Sequence, residues 1–158
     1  MADQPSAENN DKRRRLGSWY TPPALVDQML TLLTADNWPG SATASPLRVL
    51  DPSCGDGRLL IAAQEHLGNP CSLVGCDIDP LTQVAHERHN IEFVVGNGLQ
   101  IDWSHFGSSK GFDLVMSNPP FLSQLAHSTS RKGSSTRGGG PYANTAMEFC
   151  LAGIEALR

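Results

Sequence analysis

Leu47-Arg48-Val49-Leu50-Asp51-Pro52-Ser53-Cys54-Gly55-Asp56-Gly57 is the stretch from which the fold is read. Leu47 to Leu50 is short and apolar, as a buried strand requires, and it stops at an acid. Gly55 and Gly57 let the following backbone take torsions that other residues resist and let it approach a ligand closely. Arg58 to Leu67 then resumes at helical spacing and is ended by Gly68, Asn69 and Pro70. A strand, a glycine turn and a helix open a βαβ unit, and the free N–H groups at such a helix start suit an anion. The bland alternative is a plain strand-to-helix turn.

The pattern repeats outward from there. Ser72 to Cys76 forms a second strand ending at Asp77, Pro80 opens a helix to about His89, and Ile91 to Val95 and Phe112 to Ser117 give two more strands. Strands alternating with helices over short connections predict an α/β fold: a mostly parallel sheet, right-handed crossovers and helices on both faces. Upstream, Thr21 is placed as a helix N-cap and Pro22 as the first helical residue, with Leu25, Val26, Met29, Leu30 and Leu33 recurring at helical spacing to about residue 35. Tyr142 to Leu157 also reads as helix. Residues 1–15 are polar and aperiodic and are expected to be a disordered basic tail, leaving 16–158 as the domain. No internal repeat is present.

Length sets the scale: 158 residues make one domain with one core. The net charge of −4 is unevenly spread. Residues 16–125 carry eleven acids and four Lys/Arg, whereas Lys12 to Arg15 and the group Arg131, Lys132 and Arg137 concentrate basic charge in two segments that could reach phosphates. The bland reading of both segments is solvated chain. The four cysteines, Cys54, Cys71, Cys76 and Cys150, form no Cys-x-x-Cys pair and are expected to be reduced and mostly buried. No apolar run approaches the roughly 18 residues of a membrane span, and the polar N-terminus shows no secretory pattern, so the expected compartment is the cytoplasm.

In a parallel sheet of this kind ligands sit beyond the carboxyl ends of the strands, where the strand order reverses. Asp51 can meet an ammonium there, and with the glycine loop it suits the methionine half of S-adenosylmethionine at least as well as a phosphate. A phosphate loop of the Walker type is excluded because no Lys-Ser/Thr follows the glycines, and Gly-x-Gly-x-x-Gly is absent. Asp77, about twenty residues past the glycine turn, is placed to accept from ribose hydroxyls. Ile78 offers an apolar face for adenine, while Asp79 can be a plain helix cap beside Pro80. Asn118-Pro119-Pro120-Phe121 follows the last strand and brings a rigid amide acceptor and an aromatic ring to the same crevice. That is equipment for holding a planar base by its amino group; alone, the tetrapeptide is also an ordinary turn signal. His86 and His89 lack a third metal ligand and read as solvated, and Cys54 lacks a base and reads as packing. Trp103 and Phe106 read as core or rim, and Tyr142 as a possible wall of a base pocket.

These motifs resemble the class I methyltransferases that use S-adenosylmethionine, and within them the adenine-N6 DNA methyltransferases. Gly17-Ser18-Trp19-Tyr20-Thr21-Pro22 is similar to the motif preceding the cofactor loop, Asp51 to Gly57 to that loop, Asp77 to the ribose acid and Asn118 to Phe121 to the catalytic Asn-Pro-Pro-aromatic motif. The resemblance implies a Rossmann-like fold with S-adenosylmethionine held by Tyr20, Thr21, Pro22, Asp51, Pro52, Ser53, Cys54, Gly55, Gly57, Asp77, Ile78, Asn97 and Gly98, without a metal. It implies Asn118, Pro119, Pro120 and Phe121 as catalytic residues acting on an adenine extruded from double-stranded DNA. Asn97 stands where the family usually has an Asp, which keeps a carbonyl acceptor but loses the charge and implies weaker cofactor binding. The family's sheet has seven strands against about four here, which implies a chain truncated at its C-terminus, or completed by a second chain that also supplies target recognition. The alternatives are a cofactor-binding remnant without turnover and, among enzymes, a protein-glutamine or RNA methyltransferase; the Tyr20-Thr21-Pro22 segment speaks against the latter.

Overall fold

The computed structural model describes residues 21–35, 46–68, 70–83, 87–106, 111–120 and 145–157. Helix α1 runs Pro23–Ala35. The Pro22 carbonyl accepts from the N–H groups of Leu25 and Val26, so Pro22 is the cap and Pro23 the first helical residue, one position later than the sequence suggests. A proline costs nothing at that first position, whose N–H has no helical partner. Thr21 is buried instead, and its carbonyl accepts from Arg58 Nη1 at 3.4 Å.

Strand β1 is Leu47–Asp51, α2 is Arg58–Leu67, β2 is Cys71–Asp77, β3 is Glu92–Val95, β4 is Leu114–Val115 and α3 is Thr145–Ala156. The strands form one sheet in the order β3-β2-β1-β4, and every neighbouring pair is parallel. Val49 stands opposite Leu73 and Leu114, and Leu50 opposite Val74 and Val115. Successive side chains point to opposite faces, so this register sorts the apolar residues into two layers. Val49, Leu73 and Met116 pack with Val26 and Leu30 of α1 and Leu59, Leu60 and Ala63 of α2. Leu50, Val74 and Cys76 pack on the other face with Trp103, Phe112 and Ala156. Each fully buried Leu or Phe in these layers contributes about 1.5–3 kcal/mol relative to exposure.

Two further elements differ from expectation. The helix expected from Pro80 begins as a 3-10 turn, Pro80–Thr82, capped by the Asp79 carboxylate, which accepts from Leu81 N–H. Residues 84–86 lie outside the described part, and Asn90 ends the segment with φ 55°. The fourth strand is shorter than Phe112 to Ser117; at its start Asp113 places its side chain where a ladder carbonyl would stand, and Asp113 Oδ2 accepts from Arg48 N–H at 2.8 Å. Phe112 pairs outward, making a parallel bridge with Leu157 through its N–H to the Ala156 carbonyl. The outer edge of β4 thus carries a bridge at its start.

Arg48 closes this end of the sheet. Its guanidinium donates to the carbonyls of Gly111, at 2.6 Å, and of Phe106, and lies 4.4 Å from the centre of the Phe112 ring. Trp103 packs against Phe106 and Phe112 with ring centres 5.2 and 6.5 Å away, so the core reading of Trp103 holds. All four cysteines are free, Cys54 and Cys76 buried, Cys71 half-buried and Cys150 exposed. Among the described residues no helix is long and apolar enough to cross a membrane. The chain steps from β1 outward to β2 and β3 and then returns to place β4 on the other side of β1. The strand order therefore reverses between β1 and β4, and the crevice lies beyond their carboxyl ends.

Candidate active site

The loop after β1 is built on glycine. Gly55 and Gly57 have φ of 54° and 79°, in the left-handed region that favours a residue without Cβ. Asp51 is buried, and its Oδ1 accepts from Ser53 N–H at 3.0 Å. Burial pushes the Asp51 carboxyl up to about 7, opposed by the Ser53 N–H and assisted by the nearby Asp77. Cys54 turns into the core against Val49 and Leu60. A Cβ added at Gly75 would lie 2.8 Å from its sulfur. Burial, with the carboxylates of Asp51 and Asp77, pushes the Cys54 thiol far up, so it is no nucleophile and only its backbone is left to face a ligand.

Asp77 ties three loops together. Its Oδ2 accepts from Gly55 N–H and its Oδ1 from Asp79 N–H, each at 2.8 Å, and its carbonyl accepts from Gly96 N–H at 2.9 Å. Ionised carboxylate oxygens hold about four lone-pair sites, so capacity remains for hydroxyl donors. Ile78, beside it, is 58% exposed. Asn97 closes a local turn by accepting from Leu99 N–H at 3.0 Å. Gly98 is buried against the β1 loop: a Cβ there would overlap the Pro52 carbonyl oxygen and lie 3.0 Å from its carbon. Trp103 Nε1–H donates to the Gly98 carbonyl at 3.0 Å and holds this contact closed.

The loop after β4 arrives at the same place. Met116 N–H donates to the Leu50 carbonyl at 2.9 Å, and Ser117 Oγ is 2.8 Å from Ser53 Oγ. Asn118, Pro119 and Pro120 follow directly and are half-buried. The structure thus brings together Asp51 to Gly57, Asp77, Ile78, Asn97, Gly98 and the start of Asn118-Pro119-Pro120. Tyr20, Phe121, His86, Tyr142, the tail 1–15 and the basic residues 131–137 lie outside the described residues. Helix α3 closes one side: Phe149 and Ala152 pack on Leu99, and a Cβ at Gly153 would stand 3.1 Å from Val115 Cγ1. Thr145 and Glu148, buried on that helix, were not singled out by the sequence reading. Nor was Ser117, for which a polar residue ending the apolar run before Asn118 was an available signal.

Fold and crevice together define a Rossmann-like methyltransferase domain. A family model described as N-6 DNA Methylase matches residues 6–157, and the chain belongs to that family. It is 33% identical over 122 residues to the type II methyltransferase M.TthHB8I of Thermus thermophilus, a match covering 77% of this chain and 25% of that one. It is 39% identical over 67 residues to the type II methyltransferase M.XamI of Xanthomonas campestris pv. amaranthicola, covering 42% of this chain and 11% of that one. The methyltransferase subunit of a type I restriction-modification system from Streptococcus thermophilus shares the fold, with a TM-score of 0.62 at 19% identity over 90% of this chain and 34% of that one. The chain spans a quarter or less of the length of these two curated relatives.

Proposed function

We propose that this chain carries the catalytic core of an enzyme that transfers a methyl group from S-adenosylmethionine to the N6 amino group of adenine in DNA. The observation that carries this reading is the Ser53–Ser117 contact at 2.8 Å, which sets the glycine loop and Asn118 on one crevice. The residues fit the cofactor. A buried carboxyl at Asp51 suits its ammonium, Asp77 retains acceptor capacity for its ribose hydroxyls, exposed Ile78 suits its adenine face, and the close Pro52–Gly98 approach, which has no room for a side chain, keeps the loops after β1 and β3 side by side. When bound, the cofactor supplies an electrophilic methyl on a sulfonium.

The remaining work falls to the loop after β4. An exocyclic amine on a purine is a poor nucleophile because its lone pair is delocalised into the ring. The Asn118 side-chain oxygen and the Pro119 carbonyl accept from that amine, favour its pyramidal form and stabilise the positive charge that develops on nitrogen. Pro119 and Pro120 fix φ and so fix both acceptors. Phe121 stacks on the ring of a base taken out of the duplex. An amide is no base, so the proton leaves afterwards, to water or a backbone carbonyl. Most of the rate comes from placement.

Labelled methyl transfer tested on DNA, RNA and protein decides the acceptor. Label at adenine N6 of DNA is expected; label appearing only in RNA or on protein glutamine would overturn the assignment, and cofactor binding without transfer to any acceptor would leave the non-catalytic reading. Asp77→Ala is expected to weaken S-adenosylhomocysteine binding by about 1–3 kcal/mol, the cost of stranding hydrogen-bonded hydroxyls. An unchanged calorimetric affinity would remove Asp77 from the site.

The raised Asp51 carboxyl gives two opposite pH trends. The native state holds this proton more tightly than the unfolded chain, whose carboxyl has its ordinary value of 3.8, so ligand-free stability falls as pH rises from about 4 through about 7. A cationic ligand favours the ionised form, so affinity rises with pH through the same upper value and falls about tenfold per unit well below it. Denaturant melts and calorimetry across this range measure both trends, and Asp51→Asn is expected to flatten both. Parallel slopes in wild type and Asp51→Asn would exclude Asp51 as their source.

A further inference from the structure

Ser53 and Ser117 come from loops sixty-four residues apart and meet through their hydroxyls at 2.8 Å, both half-buried. Each is fixed on its other side. Ser53 N–H donates to Asp51 Oδ1, the carboxyl assigned above to the cofactor's ammonium. Ser117 is held between Met116, whose N–H bonds to Leu50, and the rigid Asn118-Pro119 step. A shift in the β1 loop therefore reaches Asn118 through one hydroxyl pair. A serine hydroxyl can donate and accept at once, so this contact is directional and does not tolerate a methyl in place of either oxygen.

We propose that Ser53 and Ser117 are a positioning pair, whose hydroxyl bond sets the acceptor amide of Asn118 relative to the loop that holds the methyl donor. The inference rests on the methyltransferase reading and adds the element that aligns its two halves. Neither serine touches the reacting atoms in this scheme. They act through Asn118, so their loss alters the rate of transfer more than the affinity for either ligand.

The test uses the full chain with S-adenosylhomocysteine as probe. Ser53→Ala and Ser117→Ala are each expected to lower the single-turnover methyl-transfer rate by about tenfold, and in Ser117→Ala, which lies outside the loop assigned to the cofactor, the probe's Kd stays within about threefold. The double variant is expected to be no slower than either single variant, since both remove one interaction. Ser117→Thr, which keeps a hydroxyl, is expected to recover most of the rate. The isotope-labelled side-chain amide signals of Asn118 are expected to move when the probe binds wild type and to stay put in Ser117→Ala. Rate losses that multiply in the double variant, or an Asn118 response unchanged in Ser117→Ala, would overturn the pairing while leaving the methyltransferase reading intact. A wild-type chain that neither binds the probe nor transfers methyl would remove that reading and the pairing with it. Should wild type bind the probe without turnover, the Asn118 response alone decides.

Discussion

Asn118→Ala is expected to lower the single-turnover rate of methyl transfer by roughly a thousandfold while S-adenosylhomocysteine affinity changes by less than about twofold. The two effects separate because the residues assigned to the cofactor sit ahead of α1 and on the loops after β1, β2 and β3, whereas Asn118 follows β4. The side-chain oxygen is asked to accept from an amine whose nitrogen becomes positive only as the new bond forms, so its contribution grows toward the transition state. Such preorganised polar groups are commonly worth about 10²–10³ in rate when one is removed. The Pro119 carbonyl stays in place, which is why some transfer above background persists. A rate within tenfold of wild type would take Asn118 out of its assigned role.

Gly98→Ala is expected to cost about 3 kcal/mol of stability, a fall in Tm of roughly 10 °C, and to abolish measurable cofactor binding at micromolar concentration. The added carbon would overlap the Pro52 carbonyl oxygen, which is main chain and cannot rotate aside. Relief requires the β1 loop and the β3 loop to part, and the Trp103 indole, bonded to the Gly98 carbonyl at 3.0 Å, resists that movement from behind. Thermal melts and calorimetry on one preparation read both effects. A melt within about 2 °C of wild type would show that the loops separate freely and that the cradle is not rigid.

Local patterning made the architecture legible. Leu47 to Asp51 and Arg58 to Leu67 appear as read, because an apolar run ending in a glycine turn leaves few alternatives. The parallel order and two-sided burial follow from short strand-helix alternation, and Val49 and Leu50 do face opposite layers. The strand read over 112–117 starts only at Leu114, where Asp113 meets Arg48 through its side chain, a contact sixty-five residues apart in sequence that no local pattern encodes. The cap at Thr21 was misplaced for a similar reason: burial of Thr21 beside Arg58 outweighs its intrinsic capping preference. At the site, the sequence places Asp51 and Asp77 by residue type and distance from the glycine turn and Asn118 by its position after the last strand, and the structure sets their loops side by side. Ser117 was not singled out because its part lies in whom it meets, the Ser53 hydroxyl, rather than in what it is.

The reversal of strand order has a consequence for how such a domain diversifies. Everything assigned to the donor lies between residues 20 and 98, most of it on the loops after β1, β2 and β3, while everything assigned to the acceptor begins past Met116, across the gap from β1. A lineage can therefore swap its target, whether another nucleobase or another polymer, by rewriting the later portion and keeping the earlier one unaltered. Chimeras joined between residues 100 and 111 should retain donor affinity whatever acceptor half they inherit.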